Sequence, residues 1–162
     1  RDLMATGTPA TVALTTQGIV FTVHEYHHDP ATPSFGLEAA AALGVEPDRV
    51  FKTLLAEVDG VGLVVGIVPV TGSLDLKGLA AATGGKRAAM APPALAERRT
   101  GYVVGGISPI GQKTALTTVI DETAQLWDTV FVSGGRRGLD LELDPSDLLD
   151  ITGATFADIS RA

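Results

Sequence analysis

The sequence predicts an α+β protein: a strongly curved, mixed β-sheet, barrel-like in outline, with helices flanking it. Three observations carry this expectation. Segments rich in β-branched residues outnumber helical ones and do not alternate regularly with them, which argues against a doubly wound parallel sheet. The clearest pair, 50–58 and 61–70, is separated by Asp59-Gly60 and reads as an antiparallel hairpin. Hydrophobic residues make up 45% of the chain, aromatic ones 5% and charged ones 19%, so the core must rest on Val, Leu, Ile and Ala. At 162 residues the chain can bury one sizeable core but not two comfortably, and residues 1–162 are read as a single domain.

Taken in order, Thr8-Pro9 opens a short helix that Gly18 closes. "IVFTVHEY" (19–26) is a strand, and Ser34 caps a helix over "FGLEAAAALG" that ends at Gly44. After the hairpin, "SLDLKGLAAATG" (73–84) is a helix with Ser73 as its cap, and "KRAAMA" is a short strand. "PPALAERRTG" (92–101) is a helix entered by proline and left by glycine. "YVVGGIS" and "LTTVIDE" are strands on either side of a glycine-rich loop. "DTVFVSGG" and "GLDLEL" form a second hairpin. Asp144, Pro145 and Asp147 start the last helix, and "ATFADIS" is a final strand.

The chain has no cysteine, which excludes a disulfide framework, a thiolate nucleophile and a Cys-ligated zinc. No apolar run approaches the ~20 residues of a membrane helix. The opening "RDLMATGTPA" lacks the basic and apolar blocks of a signal peptide, so a cytoplasmic location is expected. A net charge of -7 argues against sequence-blind nucleic-acid binding. Seven of the twelve basic residues nevertheless lie between 86 and 137, among them Lys86-Arg87, Arg98-Arg99 and Arg136-Arg137. They read either as a flank that holds a polyanion locally or as ordinary solvated pairs.

"GGISPIGQKT" (105–114) nearly spells a phosphate-binding P-loop, but Gln112 separates Gly111 from Lys113 and Pro109 removes a donor N–H. The next strand follows too soon for a crossover helix. The loop reads instead as a proline-stiffened turn whose remaining amides face an oxyanion or a carbonyl, or as a plain tight turn. Alternation places Lys52 with Val50, Leu54, Ala56 and Val58 on one face of a strand that is apolar on both faces. An ammonium there either snorkels to water or lines a cleft, placed for an anion or a carbonyl. In "GLDLEL" the leucines share one face and Asp140 and Glu142 the other, which looks into the cleft or outward. There is no G-x-S-x-G elbow, and neither Ser108 nor Ser133 has an assignable histidine base. All three histidines lie in "HEYHH" without a recognisable metal-ligand spacing, so no metal and no cofactor are expected.

"VFKTLLAEV", "VPVTGSLDLKGLAAATGGKRAAMA", "TGYVVGGISPIGQK", "TVIDE" and "VSGGRRGLDLEL" together resemble the YbaK/EbsC family, in order, from about Gly18 to the C-terminus. The resemblance is strongest to the YbaK-type Cys-tRNA(Pro) deacylases, relatives of the editing domain of prolyl-tRNA synthetase. It implies a trans-editing enzyme that removes cysteine mischarged onto tRNA(Pro), with Cys-tRNA(Cys) a further substrate, and that associates with prolyl-tRNA synthetase. By position, the family's lysine falls on Lys52, its loop glycine on Gly105, its tyrosine on Tyr26 and its aspartate on Asp140. Thr53, Gly106, Ile107, Ser108, Pro109 and Ser133 are expected around the substrate.

An aminoacyl ester is already activated, so such a site needs carbonyl polarisation and positioning more than a protein nucleophile. The resemblance implies attack by the substrate's own thiol or by water. The rival expectations are a non-catalytic binder of aminoacyl-tRNA 3′ ends or of the synthetase, and a deacylase for alanine or another small residue.

Overall fold

The computed structural model describes residues 7–32 and 35–162. The expected Ser34 cap lies outside the described residues. Thr8 accepts from the Thr11 amide and starts helix α1 (Pro9–Thr16) with a reciprocal capping box. Strand β1 (Thr22–Glu25) is followed by α2 (Phe35–Leu43). The expected hairpin is present as β2 (Phe51–Val58) and β3 (Gly62–Pro69), paired antiparallel from Phe51 opposite Pro69 to Val58 opposite Gly62.

Next come β4 (Ser73–Leu74), α3 (Leu76–Thr83), β5 (Ala88–Met90), α4 (Pro93–Thr100) and β6 (Thr117–Asp121). The chain ends with β7 (Val130–Arg136), β8 (Leu139–Leu143), α5 (Pro145–Thr152), β9 (Thr155–Ala157) and β10 (Ser160–Arg161).

The strands form a five-stranded sheet in the order β5-β2-β3-β6-β9, a three-stranded sheet β1-β8-β7 and a two-stranded ribbon β10-β4. β3 pairs parallel with β6, and β6 parallel with β9, so the larger sheet is mixed, as expected. An isolated bridge between Val50 and Phe131 joins the two larger sheets, and no closed barrel forms among the described residues. The main core lies between these sheets, where Phe51, Leu55, Val65, Ile67 and Ile120 meet Val130, Val132, Leu141 and Leu143, with Leu14 of α1 and Leu148 of α5 alongside. Leu79 and Ala80 of α3 cover the other face of the large sheet, against Ala56, Val58, Val64, Val68 and Val119. At ~25 cal/mol per Å² of apolar surface, this two-sided burial is the main stabilising term of the fold.

Four expectations are corrected. Residues 102–108 form no strand: Val103 and Val104 are exposed, and Gly105 at φ +93° leaves the extended region. A turn closes there through the Gly106 N–H on the Val103 carbonyl at 2.8 Å. Ser73 does not cap α3. It is drawn into the ribbon with Arg161, and Asp75 caps the helix by accepting from Gly78. Segment 19–26 is strand only where β8 supplies a partner, from Thr22 to Glu25. The last strand is split in two, because Ile159 donates its amide to the Asp121 carboxylate and turns the chain towards β4. Among the described residues no helix is long and apolar enough to cross a membrane.

Candidate functional site

β5 pairs with β2 only from Ala56 to Val58, so the first half of β2 has no β5 partner along that edge. A cavity of about 410 Å³ opens in the gap. One wall is β2 itself, carrying Lys52 and Thr53; β7 and β8 supply Ser133 and Asp140; α2 and the preceding segment supply Phe35, Gly36 and Tyr26; and the loop after α4 supplies Val104, Gly105 and Ile107. Met90, Ala91, Pro93 and Ala96 complete an apolar side.

The charged groups sit against this apolar lining, and burial sets their behaviour. Lys52 is half-buried. Desolvation alone holds its ammonium below the ordinary lysine pKa, and no carboxylate pairs with it among the described residues. Thr53 Oγ1 is buried and has no hydrogen-bond partner among the described residues, an arrangement that leaves a polar atom available to a ligand or a water. Asp140 is 6% exposed, and burial pushes its carboxyl up to about 7. Burial, and then the nearby Asp140 charge, raise the Tyr26 hydroxyl to about 12, so tyrosine and aspartate share one corner. Asp140 therefore faces the cleft, but it forms no ion pair with Lys52.

The loop wall offers backbone. Among the described residues the N–H groups of Gly105 and Ile107 meet no protein acceptor, whereas that of Gly106 closes the turn. Gly106 also packs on β7: a Cβ there would lie 2.8 Å from Arg136 Cα. Ser108 and Pro109 are buried behind the lining, and Ser108 Oγ accepts from the Ile110 amide at 3.2 Å. Tyr26, Lys52, Thr53, Gly105, Ile107, Ser133 and Asp140 thus line the cavity, whereas the buried Gly106, Ser108 and Pro109 do not. Ser133 Oγ accepts from Gly135 at 3.2 Å within the β7 bulge. No histidine lines the cavity. His24 Nε2 and Glu142 Oε1 are 2.8 Å apart, His28 Nδ1 and Glu38 Oε1 are 2.7 Å apart, and among the described residues no cluster of three His, Asp or Glu side chains is arranged for a metal.

Sequence reasoning missed the α2 wall and the N-terminal support of the loop. Tyr102 donates its buried hydroxyl to the Ile110 carbonyl at 2.7 Å. Gly111 packs on Pro9, where a Cβ would lie 2.6 Å from backbone atoms, and Thr8 Oγ1 reaches the Gly134 carbonyl. Helix α1 is therefore the buttress of the loop. The only signal for it in the sequence was the glycine spacing, which names no partner.

Among the described residues the arrangement combines a cation, two backbone donors without an acceptor and a carboxyl close to neutrality, without a side-chain nucleophile activated by a base. That suits electrostatic stabilisation of an oxyanion on an already reactive carbonyl.

A family model described as the aminoacyl-tRNA editing domain matches residues 29–151. A protein of Enterococcus faecalis named "Putative Cys-tRNA(Pro)/Cys-tRNA(Cys) deacylase EbsC" is 42% identical over 121 residues, covering 75% of this chain and 74% of that protein. A crystal structure of "a putative trans-editing enzyme for prolyl tRNA synthetase" superposes with a TM-score of 0.83 at 30% identity, covering 95% of this chain and 96% of that one. The crystal structure of hypothetical protein APE2540 superposes with a TM-score of 0.84 at 26% identity, covering 95% and 100%.

Proposed function

Since the chain belongs to the aminoacyl-tRNA editing domain family, we propose that it is a trans-editing deacylase that cleaves cysteine from mischarged tRNA(Pro), with Cys-tRNA(Cys) as a second substrate. The observation that carries the reading is that Lys52, Gly105, Ile107 and the buried Asp140 line one cavity, the Gly105 and Ile107 N–H groups meeting no acceptor among the described residues. Its 410 Å³ falls within the ~300–1,000 Å³ of small-ligand sites, enough for an aminoacyl group and part of its terminal nucleoside.

In this scheme the Gly105 and Ile107 N–H groups receive the ester carbonyl oxygen, and Lys52 stabilises the negative charge that grows on it. Preorganised donors of this kind act most strongly where water is excluded. Tyr26 and Asp140 hold the amino acid's own polar groups, and Thr53 Oγ1 takes a hydrogen bond from the substrate that the protein does not supply. The cavity has no Ser–His pair and the chain has no cysteine. In this scheme the attacking atom is the substrate thiol or a water, as the family resemblance implies. Attack forms a bond to the carbonyl carbon, the bond from that carbon to the ribose oxygen breaks, and the ribose oxygen takes up a proton. Association with prolyl-tRNA synthetase would supply the tRNA selectivity that an acidic body lacks.

The test is direct. Purified protein incubated with Cys-tRNA(Pro) is expected to shorten the ester half-life by orders of magnitude, and Ala- and Ser-tRNA(Pro) are expected to be cleaved more slowly. Discrimination between side chains this similar is ~1–3 kcal/mol. An unchanged Cys-tRNA(Pro) half-life removes the enzymatic reading. Equal rates for cysteine and alanine remove attack by the thiol.

A further inference from the structure

The proposed chemistry leaves the arginine pair of "VSGGRRGLDLEL" unexplained. Arg136 lines the cavity and is paired with Glu25 at 3.0 Å. Arg137 is different. Its guanidinium lies 4.0 Å from the Phe35 ring centroid, and Nη2 donates to the Val104 carbonyl at 3.1 Å. It packs so closely on Gly105 that a Cβ there would fall 2.4 Å from Nε. Phe35, Val104 and Gly105 all line the cavity, so the exposed Arg137 spans its mouth from α2 to the loop.

No carboxylate is paired with Arg137 among the described residues, although the chain as a whole carries a charge of -7. One of its five N–H donors is used by Val104, and the stacking on Phe35 holds the rest of the fork in a fixed plane. A fixed guanidinium with spare parallel donors and no counter-ion matches the bidentate geometry of a phosphate.

We propose that Arg137 is the phosphate receptor of this site: it binds the phosphodiester that precedes the terminal nucleoside of the substrate RNA as that nucleoside enters the cavity. This inference rests on the deacylase reading for the identity of the RNA. One side chain packs on Gly105 at the rim of the cavity and holds the RNA chain there, so its loss weakens binding and leaves the reacting groups in place.

The experiment measures binding and turnover separately. Binding of a short single-stranded RNA ending in CCA, and of adenosine, is followed by calorimetry for the wild type, Arg137→Ala and Arg137→Gln. Glutamine keeps an amide donor for the Val104 carbonyl but has no charge. Both variants are expected to bind the RNA at least tenfold more weakly, to show a shallower salt dependence, and to bind adenosine as the wild type does. With Cys-tRNA(Pro), KM is expected to rise at least tenfold in both, while kcat stays within about threefold.

RNA affinity retained in Arg137→Gln overturns the proposal, because the arginine would then only brace the loop. So does a loss of adenosine binding equal to the loss of RNA binding. If wild type cleaves Cys-tRNA(Pro) and the variants do so with unchanged KM, the phosphate role falls and the deacylase reading stands. If wild type binds RNA through Arg137 but leaves the ester intact, the phosphate role stands and the deacylase reading falls.

Discussion

The two walls of the cavity are built by opposite means. On the β2 and β8 side, every side chain is placed by ladder register: Lys52 stands opposite Val68, and Asp140 lies between His24 and Ser133 on its neighbours. On the loop side no ladder exists. Gly105 holds φ +93°, one turn hydrogen bond closes over it, and the segment is tied down by Tyr102 and by glycine contacts to α1. A sheet can present charges to a cavity because its hydrogen-bonding backbone is already satisfied. A loop can present backbone donors because its backbone is not. Charge thus comes from the rigid wall and N–H groups from the supported one, and substitutions on each side should fail in different ways.

The largest expected effect is on the sheet side. Lys52→Ala should lower kcat/KM for Cys-tRNA(Pro) by about 10³-fold, the scale of losing one preorganised oxyanion contact. Because the lysine is only half-buried and unpaired, the variant should keep the wild-type melting temperature. A steady-state assay beside a thermal melt checks both halves. Full activity in Lys52→Ala would move the stabilising charge elsewhere and leave the loop donors to act alone.

The second effect concerns Asp140 on the same wall. Its carboxyl is raised to about 7 by burial, against about 3.9 in an unfolded chain. At low pH both states are protonated and the group costs nothing. As pH rises from about 4 to 7 the unfolded chain ionises first, so native stability falls; above 7 the cost is complete and constant. Asp140→Asn should therefore gain little at pH 4 and roughly 3 kcal/mol at pH 8, a figure below the full linkage value because the carboxyl still faces an open cavity. Denaturation midpoints of both proteins across this range give the difference directly. Parallel pH curves would mean that the wall is wetter than its burial implies.

The same contrast explains what the sequence disclosed. Alternation along a strand is a local rule, so the hairpin around Asp59-Gly60 singled out Lys52 as a charge on an apolar strand, while its place in a site came from the family resemblance. The three leucines put Asp140 on the opposite face of its strand, but whether that face meets the cleft depends on where β8 lies in the fold. The loop was harder. "YVVGGIS" has strand composition, but its valines are exposed because no neighbouring strand is available to pair with them, and pairing is a property of the whole fold. Ser73 lost its capping role to Asp75 for the same reason: a ribbon with the C-terminus, far away in sequence, claimed it. The stacking of Arg137 on Phe35 and the support from α1 join residues about a hundred positions apart, and no periodicity encodes them.

On the loop side, Gly105→Ala tests the backbone itself. A side chain at φ +93° is strained, and its Cβ would displace the Arg137 guanidinium. The expected cost is about 1–3 kcal/mol of local strain. The variant should therefore lose activity together with stability, unlike Lys52→Ala, and both can be read from one preparation by melting and by deacylation. A stable, fully active Gly105→Ala would show that the Gly105 amide need not hold its present orientation.

Tyr102→Phe makes the smallest change and asks how much support the loop needs. The hydroxyl is buried and donates to the Ile110 carbonyl at 2.7 Å, so its removal leaves that carbonyl unpaired. A neutral hydrogen bond lost in this way costs about 1–2 kcal/mol. The cost should fall on segment 102–112 rather than on the sheets, whose pairing does not involve this tyrosine. Hydrogen exchange should show faster opening of the amides that hold this segment, notably those of Ile110 and Lys113, with β2 and β3 protected as before. Deacylation should fall only a few-fold, through kcat, because the donors are present but less often aligned. If exchange quickens in the sheets as well, the two walls are one cooperative unit and the division of labour between them is only geometric.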